Sequence, residues 1–131
     1  MNREILFRGQ SVGDLAPWIY GYYHFDKSLN AHYICDRDSL YRYEVRGETI
    51  GQYAEWKDIN GIEIFEGDVV HVYYGVGKVI FSAGCFMIEW IDDKEANMEL
   101  LSMQHYKTGH IREDLVVTGN IFSNPELLQV K

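Results

Sequence analysis

At 131 residues the chain has the usual size of one domain, and folding at that length buries roughly two-thirds of the unfolded surface, enough for a core without metals or disulfides. Apolar residues at 47% and charged residues at 24% exclude a disordered tail or a fibrous repeat. The net charge of −8 is uneven, with six acidic and six basic groups in residues 1–47 against fourteen and six in residues 48–131. This disfavours phosphate-backbone binding by the C-terminal part, because such binding needs Lys and Arg to displace condensed counterions.

The neutral N-terminal part leaves room for a local nucleic-acid patch, while an acidic face is ordinarily a solubility device. Ten Tyr, six Phe and three Trp favour strands, since flat, stiff rings pack well on a pleated surface. Cys35 and Cys85 form no CxxC and no dense framework, so they read as free thiols of a reducing compartment. Ile5-Leu6-Phe7 is too short for a signal peptide and no stretch reaches bilayer length, which gives a cytoplasmic expectation.

In chain order, Ile5-Leu6-Phe7 reads as a first short strand broken by Gly9, Gly13 and Asp14. Pro17 opens the aromatic run Trp18–Phe25, Asp26–Asn30 carries turn chemistry, and Ala31–Cys35 returns as a hairpin partner. In Leu40–Arg46 the period of two sets Tyr41, Tyr43 and Val45 on one face and Arg42, Glu44 and Arg46 on the other. The charge shift at Gly47 and Glu48 marks a boundary between an N-terminal β-hairpin subdomain, 1–47, and a C-terminal domain, 48–131.

That second part begins with Thr49–Tyr53 and a hairpin at Asn60-Gly61, a pair that adopts positive φ cheaply. Asp68–Tyr74, Lys78–Phe81 and Cys85–Ile91 follow, joined by turns at Gly75-Val76-Gly77 and Ser82-Ala83-Gly84, and three such strands make the meander of a small barrel. Acids at Asp92, Asp93 and Glu95 make 92–101 the one stretch with a helix start. A polar segment runs from His105 to Asp114, the last strand is Leu115–Phe122, and Asn124 caps a one-turn helix opened by Pro125. The fold class expected is mainly β with little helix.

Three strings share an order and spacing: Ile50-Gly51-Gln52-Tyr53, then Lys57-Asp58-Ile59-Asn60-Gly61-Ile62-Glu63-Ile64-Phe65-Glu66-Gly67-Asp68-Val69-Val70, then Val117–Leu128. With Arg3–Arg8 and Trp18–Gly21 they resemble the YopX family of phage and prophage proteins. The likeness is weak between Lys94 and Arg112, and Ala54-Glu55-Trp56 departs from the family's Thr-Gly-containing turn. The resemblance implies an SH3-type barrel for 48–131 and a phage or prophage origin in a bacterial cytoplasm. It implies no activity and transfers no catalytic residue. Gly51, Asn60, Gly61, Gly67, Asp68, Gly119, Asn120 and Pro125 are assigned to backbone shaping, the ordinary work of these residue types in turns.

No constellation carries chemistry strongly. His105 with His110, His24 with Asp26 and His32 with Asp36 are the metal-binding candidates, but no HExxH or ligand-rich cluster accompanies them. Aligning Gly61 with the glycine of an EF-hand loop puts Trp56 at the first ligand position and Gly67 at the last, so that motif fails. Gly75-Val76-Gly77-Lys78 fails as a phosphate loop because Val72 and Val79 stand at required positions. Asp92/Asp93 and Glu113/Asp114 are neighbours whose side chains diverge on a strand. No catalytic residue, metal or cofactor is assigned.

The remaining signal is the surplus of rings. Tyr22, Tyr23, Tyr73, Tyr74 and Trp56 are the candidate contact residues, since in each Tyr pair alternation turns one ring outward, where it supplies adhesive area and a hydroxyl. The expected function is a non-catalytic, homo-oligomeric module that binds a host or phage protein. Single-stranded nucleic-acid binding and a small metal-dependent hydrolase are the alternatives.

Overall fold

Short alternating segments punctuated by turn residues give twelve strands and two single-turn 3-10 helices, η1 (Gly47–Thr49) and η2 (Pro125–Leu128), among the described residues. The computed structural model describes residues 3–73, 75–91, 97–101 and 110–129, and the chain divides into Met1–Tyr53 and Ala54–Lys131.

The first unit contains β1 (Phe7–Gln10), β2 (Trp18–Asp26), β3 (Ala31–Asp36), β4 (Arg42–Val45), η1 and the start of β5 (Gly51–Asp58). Its strands lie in the order β5-β1-β2-β3-β4, every neighbouring pair antiparallel. The sheet curls until β4 meets the chain leaving β1. Ser11 bridges Val45, Val12 N–H donates to Glu44 O at 3.0 Å, and Arg46 N–H donates to Gln10 O at 2.9 Å.

This curl explains Gly9, which the sequence reading treats as a breaker and the structure places inside β1. A Cβ there would meet three carbons of Val45 at 3.0–3.2 Å, so only a missing side chain lets the two backbones approach. Inside the curl Ile19, Ile34 and Val45 form the core, with Phe7 and Ile50 packed against them. The Thr49 hydroxyl donates to Arg46 O at 2.6 Å and accepts the Gln10 N–H at 2.9 Å, pinning η1 to β1. Thr49, expected to open a strand, therefore ends η1, and Gly51 and Gln52 then pair with Arg8 and Phe7, which places them in the first unit rather than the second.

The second unit holds the rest of β5, then β6 (Glu63–Phe65), β7 (Asp68–Val72), β8 (Gly75–Ser82), β9 (Cys85–Trp90), β10 (Asn97–Leu100), β11 (Ile111–Arg112), β12 (Val116–Asn120) and η2. Five strands form one sheet in the order β10-β9-β8-β7-β12. The second half of β5 pairs with β6 and, in parallel, with β11. Ala54, Trp56 and Ile64 from this group pack on Val70, Val79 and Ile88 of the sheet, with Leu101 and Leu115 completing the core.

Two buried charges tie these pieces together. Asp58, fully buried at the end of β5, accepts the N–H groups of Asn60, Ile62 and Val117, each at 2.9 Å. The first two shape the β5–β6 turn, and the third fastens that turn to β12. Arg112, also fully buried, grips Asp114 through Nε and Nη2, both at 3.0 Å, donates from Nη1 to Leu101 O at 2.7 Å, and lies 3.6 Å from Glu99. Such a fork satisfies a guanidinium that would otherwise be costly to desolvate.

Several local expectations shift. Gly75 and Gly77 lie within β8, not in a turn. Val72 pairs with Gly75, so the chain reverses at Tyr73, and a Cβ on Gly77 would lie 3.0 Å from Trp90 and 2.7 Å from Ile88. At the next hairpin Ser82 pairs with Cys85 across Ala83 and Gly84, whose φ values of 52° and 79° are those of a tight turn with both central residues left-handed. Gly61 has φ 79° while Asn60 is not left-handed, so the Asn60-Gly61 turn is a longer one built on Asp58.

The helix expected over 92–101 is a strand at Asn97–Leu100, where ladder pairing with β9 outweighs weak helical spacing; residues 92–96 lie outside the described residues. Pro125 does open η2, but the Asn124 side chain accepts from Asn120 N–H at 3.2 Å instead of capping it.

Replacing Asp58 by Ala leaves three backbone N–H groups without their carboxylate acceptor. Urea unfolding of Asp58→Ala should show a loss of about 3 kcal/mol, each such bond being worth about 1.5–3 kcal/mol. A change below about 0.5 kcal/mol would mean that the staple is not structural.

Candidate interaction surface

β3 is paired with β2 over its whole length, from Asp36↔Gly21 to Ala31↔Asp26, but β1 accompanies β2 only as far as Gly21, opposite Phe7. Beyond that point no strand among the described residues borders that side of β2. The stretch Tyr22–Phe25 is exposed at every position, so rings cover both faces of the hairpin.

The two faces differ. Register places Tyr23 and Phe25 opposite Ile34 and His32, which in turn oppose Tyr43 and Val45, so this face extends the core outward. Along it Phe7 lies 5.7 Å from Tyr23, and the His32 ring lies 5.9 Å from Tyr23 and 5.0 Å from Phe25. The Tyr23 hydroxyl and His32 Nδ1 are hydrogen-bonded at 2.7 Å. Tyr22, His24 and Tyr33 share the opposite face with Arg42, whose guanidinium sits 4.0 Å above the Tyr33 ring and 3.6 Å from the Asp26 carboxylate. Aromatic rings and arginine without lysine are the residues enriched in interface centres.

The structure separates the five candidate contact residues. Tyr22 and Tyr23 are 50% and 38% exposed, and Tyr73 is 97% exposed at the β7–β8 tip. Trp56 is not a surface residue. Only 9% exposed, it belongs to the second unit's core, with His110 stacked on it at 5.3 Å. Tyr74 lies outside the described residues. Tyr22 and Tyr23 lie on opposite faces, Tyr23 on the one that continues the core, and past β1 both remain exposed.

Other candidates resolve into structural roles. Gly67, at φ 93°, accepts the Ile121 N–H at 2.9 Å and donates to Val79 O at 2.8 Å. Asp68 is buried and accepts the Phe65 N–H at 2.7 Å, while Gly51 stands in β5 opposite Arg8. Gly119 follows the register shift in β12, and Asn120 Oδ1 receives the Phe122 and Ser123 N–H groups at 3.0 and 2.8 Å. His105 lies outside the described residues. Among the described residues no group of three or more His, Cys, Asp or Glu could hold a metal ion. His71 Nδ1 and the Thr118 hydroxyl are 2.8 Å apart, a contact between β7 and β12 that sequence inspection misses because 47 residues separate them.

Residues 14–129 match the family model described as YopX protein. The chain belongs to the YopX family. No curated protein matches it. The YopX match takes in the arm, the Asp58 staple and the Arg112 fork, and begins after β1. No helix of the described residues is long and apolar enough to cross a membrane.

The arm is closed by turns that depend on ionised aspartates. Asp26 Oδ1 accepts the Ser28 hydroxyl at 2.7 Å and the Leu29 N–H at 3.1 Å, and these bonds hold its carboxyl below the usual 3.8. Asp36 Oδ1 accepts the Ser39 and Asp38 N–H groups at 2.9 Å, with the same consequence. Both carboxylates thus shape their own turns.

A carboxyl whose folded value lies below its unfolded value stabilises the fold above the ordinary carboxylate range, and that contribution is lost as pH falls through the folded value. Thermal midpoints of wild type should therefore drop more steeply between about pH 4 and pH 2 than those of Asp26→Asn or Asp36→Asn. Superimposable profiles would show that these turns contribute nothing to acid sensitivity.

Proposed function

We propose that this YopX-family chain is a non-catalytic, self-associating protein-binding module of phage or prophage origin, acting in the cytoplasm of a bacterial host. The observation that carries the reading is the β2–β3 arm, which exposes Tyr22, Tyr23 and Phe25 along the part of β2 that runs past β1. A monomer gains nothing from holding such rings in water, whereas an interface gains their buried area with little entropy lost.

The fold supports the same reading. We take the second unit as an SH3-type barrel on three features: the β7–β8–β9–β10 meander, the return of β12 beside β7, and the Asp58 bond from the β5–β6 turn to Val117. Its buried ionisable groups, Asp58, Asp68 and Arg112, are engaged in shaping the backbone, which leaves them unsuited to acid–base work. His71 with Thr118 is a base beside a hydroxyl, but beside a bulge in β12 and with no carboxylate bonded to the imidazole among the described residues, so it supports the hydrolase alternative poorly.

One observation favours base stacking as a second reading: Tyr22, Tyr33 and Arg42 share an open strand face in a unit with seven acidic and six basic residues. Light scattering on purified protein, with titration of fluorescent single-stranded oligonucleotides from low to high salt, separates the two. Self-association without oligonucleotide binding is expected. A monomer that binds oligonucleotide with affinity falling steeply with salt would replace the first reading by the second.

A further inference from the structure

We propose that the open edge of β2, Tyr22–Phe25, pairs antiparallel with the same edge of a second copy of this chain. The proposal rests on the self-association reading above and names the surface that would serve it.

An unpaired strand edge is a template for another strand, and folded proteins blunt such edges with Lys, Pro, bulges or covering segments. The other edge of the first unit's curl is treated in that way, since Ser11 and its neighbours cover β4. In the second unit, Ile59 N–H donates to Leu115 O at 3.1 Å and Asp58 binds Val117 N–H, fastening the entry to β12. The edge of β2 has no such device. Its ladder with β3 runs without a shift from Gly21 to Asp26, Tyr22–Phe25 contains neither Pro nor Lys, and the first charge is Asp26 at the strand's end. Among the described residues, no strand accompanies it beyond Gly21.

The chemistry of the edge favours itself as partner. In the two-fold register centred on His24, Tyr23 meets Phe25, His24 meets its own copy and Tyr22 meets Asp26, so no carboxylate opposes another. Cross-strand aromatic pairs are among the favourable ones. Pairing would join two arms into one continuous sheet through an isologous contact, which closes at two copies and leaves the edge used up.

Charge selects this edge over β10, an end strand of the second unit's sheet. The first unit carries seven acidic against six basic groups and the second thirteen against six, so two copies meeting at β10 would bring their acidic units together. At β2 they meet where each is nearly neutral. A basic protein or a phosphate backbone would be drawn instead to the acidic or avoided by it, and neither gains specifically from an uncharged aromatic edge.

The test is sedimentation velocity over a wide concentration range on three proteins: wild type, the double variant Tyr22→Lys/His24→Lys, and Tyr73→Lys as a control. Tyr22, His24 and Tyr73 are all exposed, so each variant should keep the wild-type circular dichroism. Wild type and Tyr73→Lys should dimerise alike, and the double variant should need at least about tenfold more protein to do so, because Lys on an edge blocks pairing. Hydrogen exchange of wild type gives a second readout that no misfolded variant can spoil: amides of Tyr22–Phe25 should become more protected as concentration rises.

Dimerisation of the double variant at wild-type concentrations, or arm amides indifferent to concentration in a protein that does associate, would overturn the edge while sparing self-association. A wild type that remains monomeric throughout would overturn both.

Discussion

The second unit depends on what a single buried carboxylate does with its lone pairs. Asp58 ends one strand, sets the turn after it through Asn60 and Ile62, and fixes the last strand through Val117, 59 residues away. A carboxylate taken out of water at that depth is tolerable only when its oxygens are met by donors, and three backbone N–H groups meet it. The requirement works in both directions. The turn supplies donors because Asp58 orders it, and Asp58 is buried because the donors are there. Around that knot the apolar side chains of β5, β6 and the five-stranded sheet close their core.

The first unit closes its core by curvature, and it too buries a charge, Arg8 of β1. Its sheet curls on itself, Gly9 permits the close approach of β1 and β4, and three aliphatic side chains fill the centre. The curl uses only part of β2. What extends past Gly21 is the outer part of β2, paired with β3 and through it with β4, its tip held by Asp26 and its rings exposed. Cross-strand contacts such as Tyr23–His32 and Arg42–Tyr33 help to hold these three strands in register. The function proposed follows from this surplus: the part of the sheet not needed for the core is the part offered to a partner.

Much of the strand layout was legible because its signals are local. The β2–β3 hairpin, the β7–β8–β9 meander, β12 and the Pro125 turn follow from alternation and from turn residues. The errors have one cause. Gly9, Gly75 and Gly77 look like breakers, yet two of them lie where a neighbouring side chain crowds the strand. Thr49 looks like a strand former, yet its hydroxyl is needed by Gln10 in a 3-10 turn. Local chemistry is ambiguous wherever a distant residue decides between its options.

The sequence alone determined that the chain is mainly β, where most strands turn, and that its excess acid lies in the C-terminal part, because side-chain periodicity, turn propensity and charge are properties of neighbours along the chain. Only tertiary structure decided that Trp56 is core and Tyr22 surface, that Asp58 and Arg112 are buried and satisfied, and that β2 outruns β1. Those outcomes depend on which strands end up adjacent and how far their overlap extends. Such overlap is fixed by packing between segments tens of residues apart, which no stretch of the sequence encodes by itself.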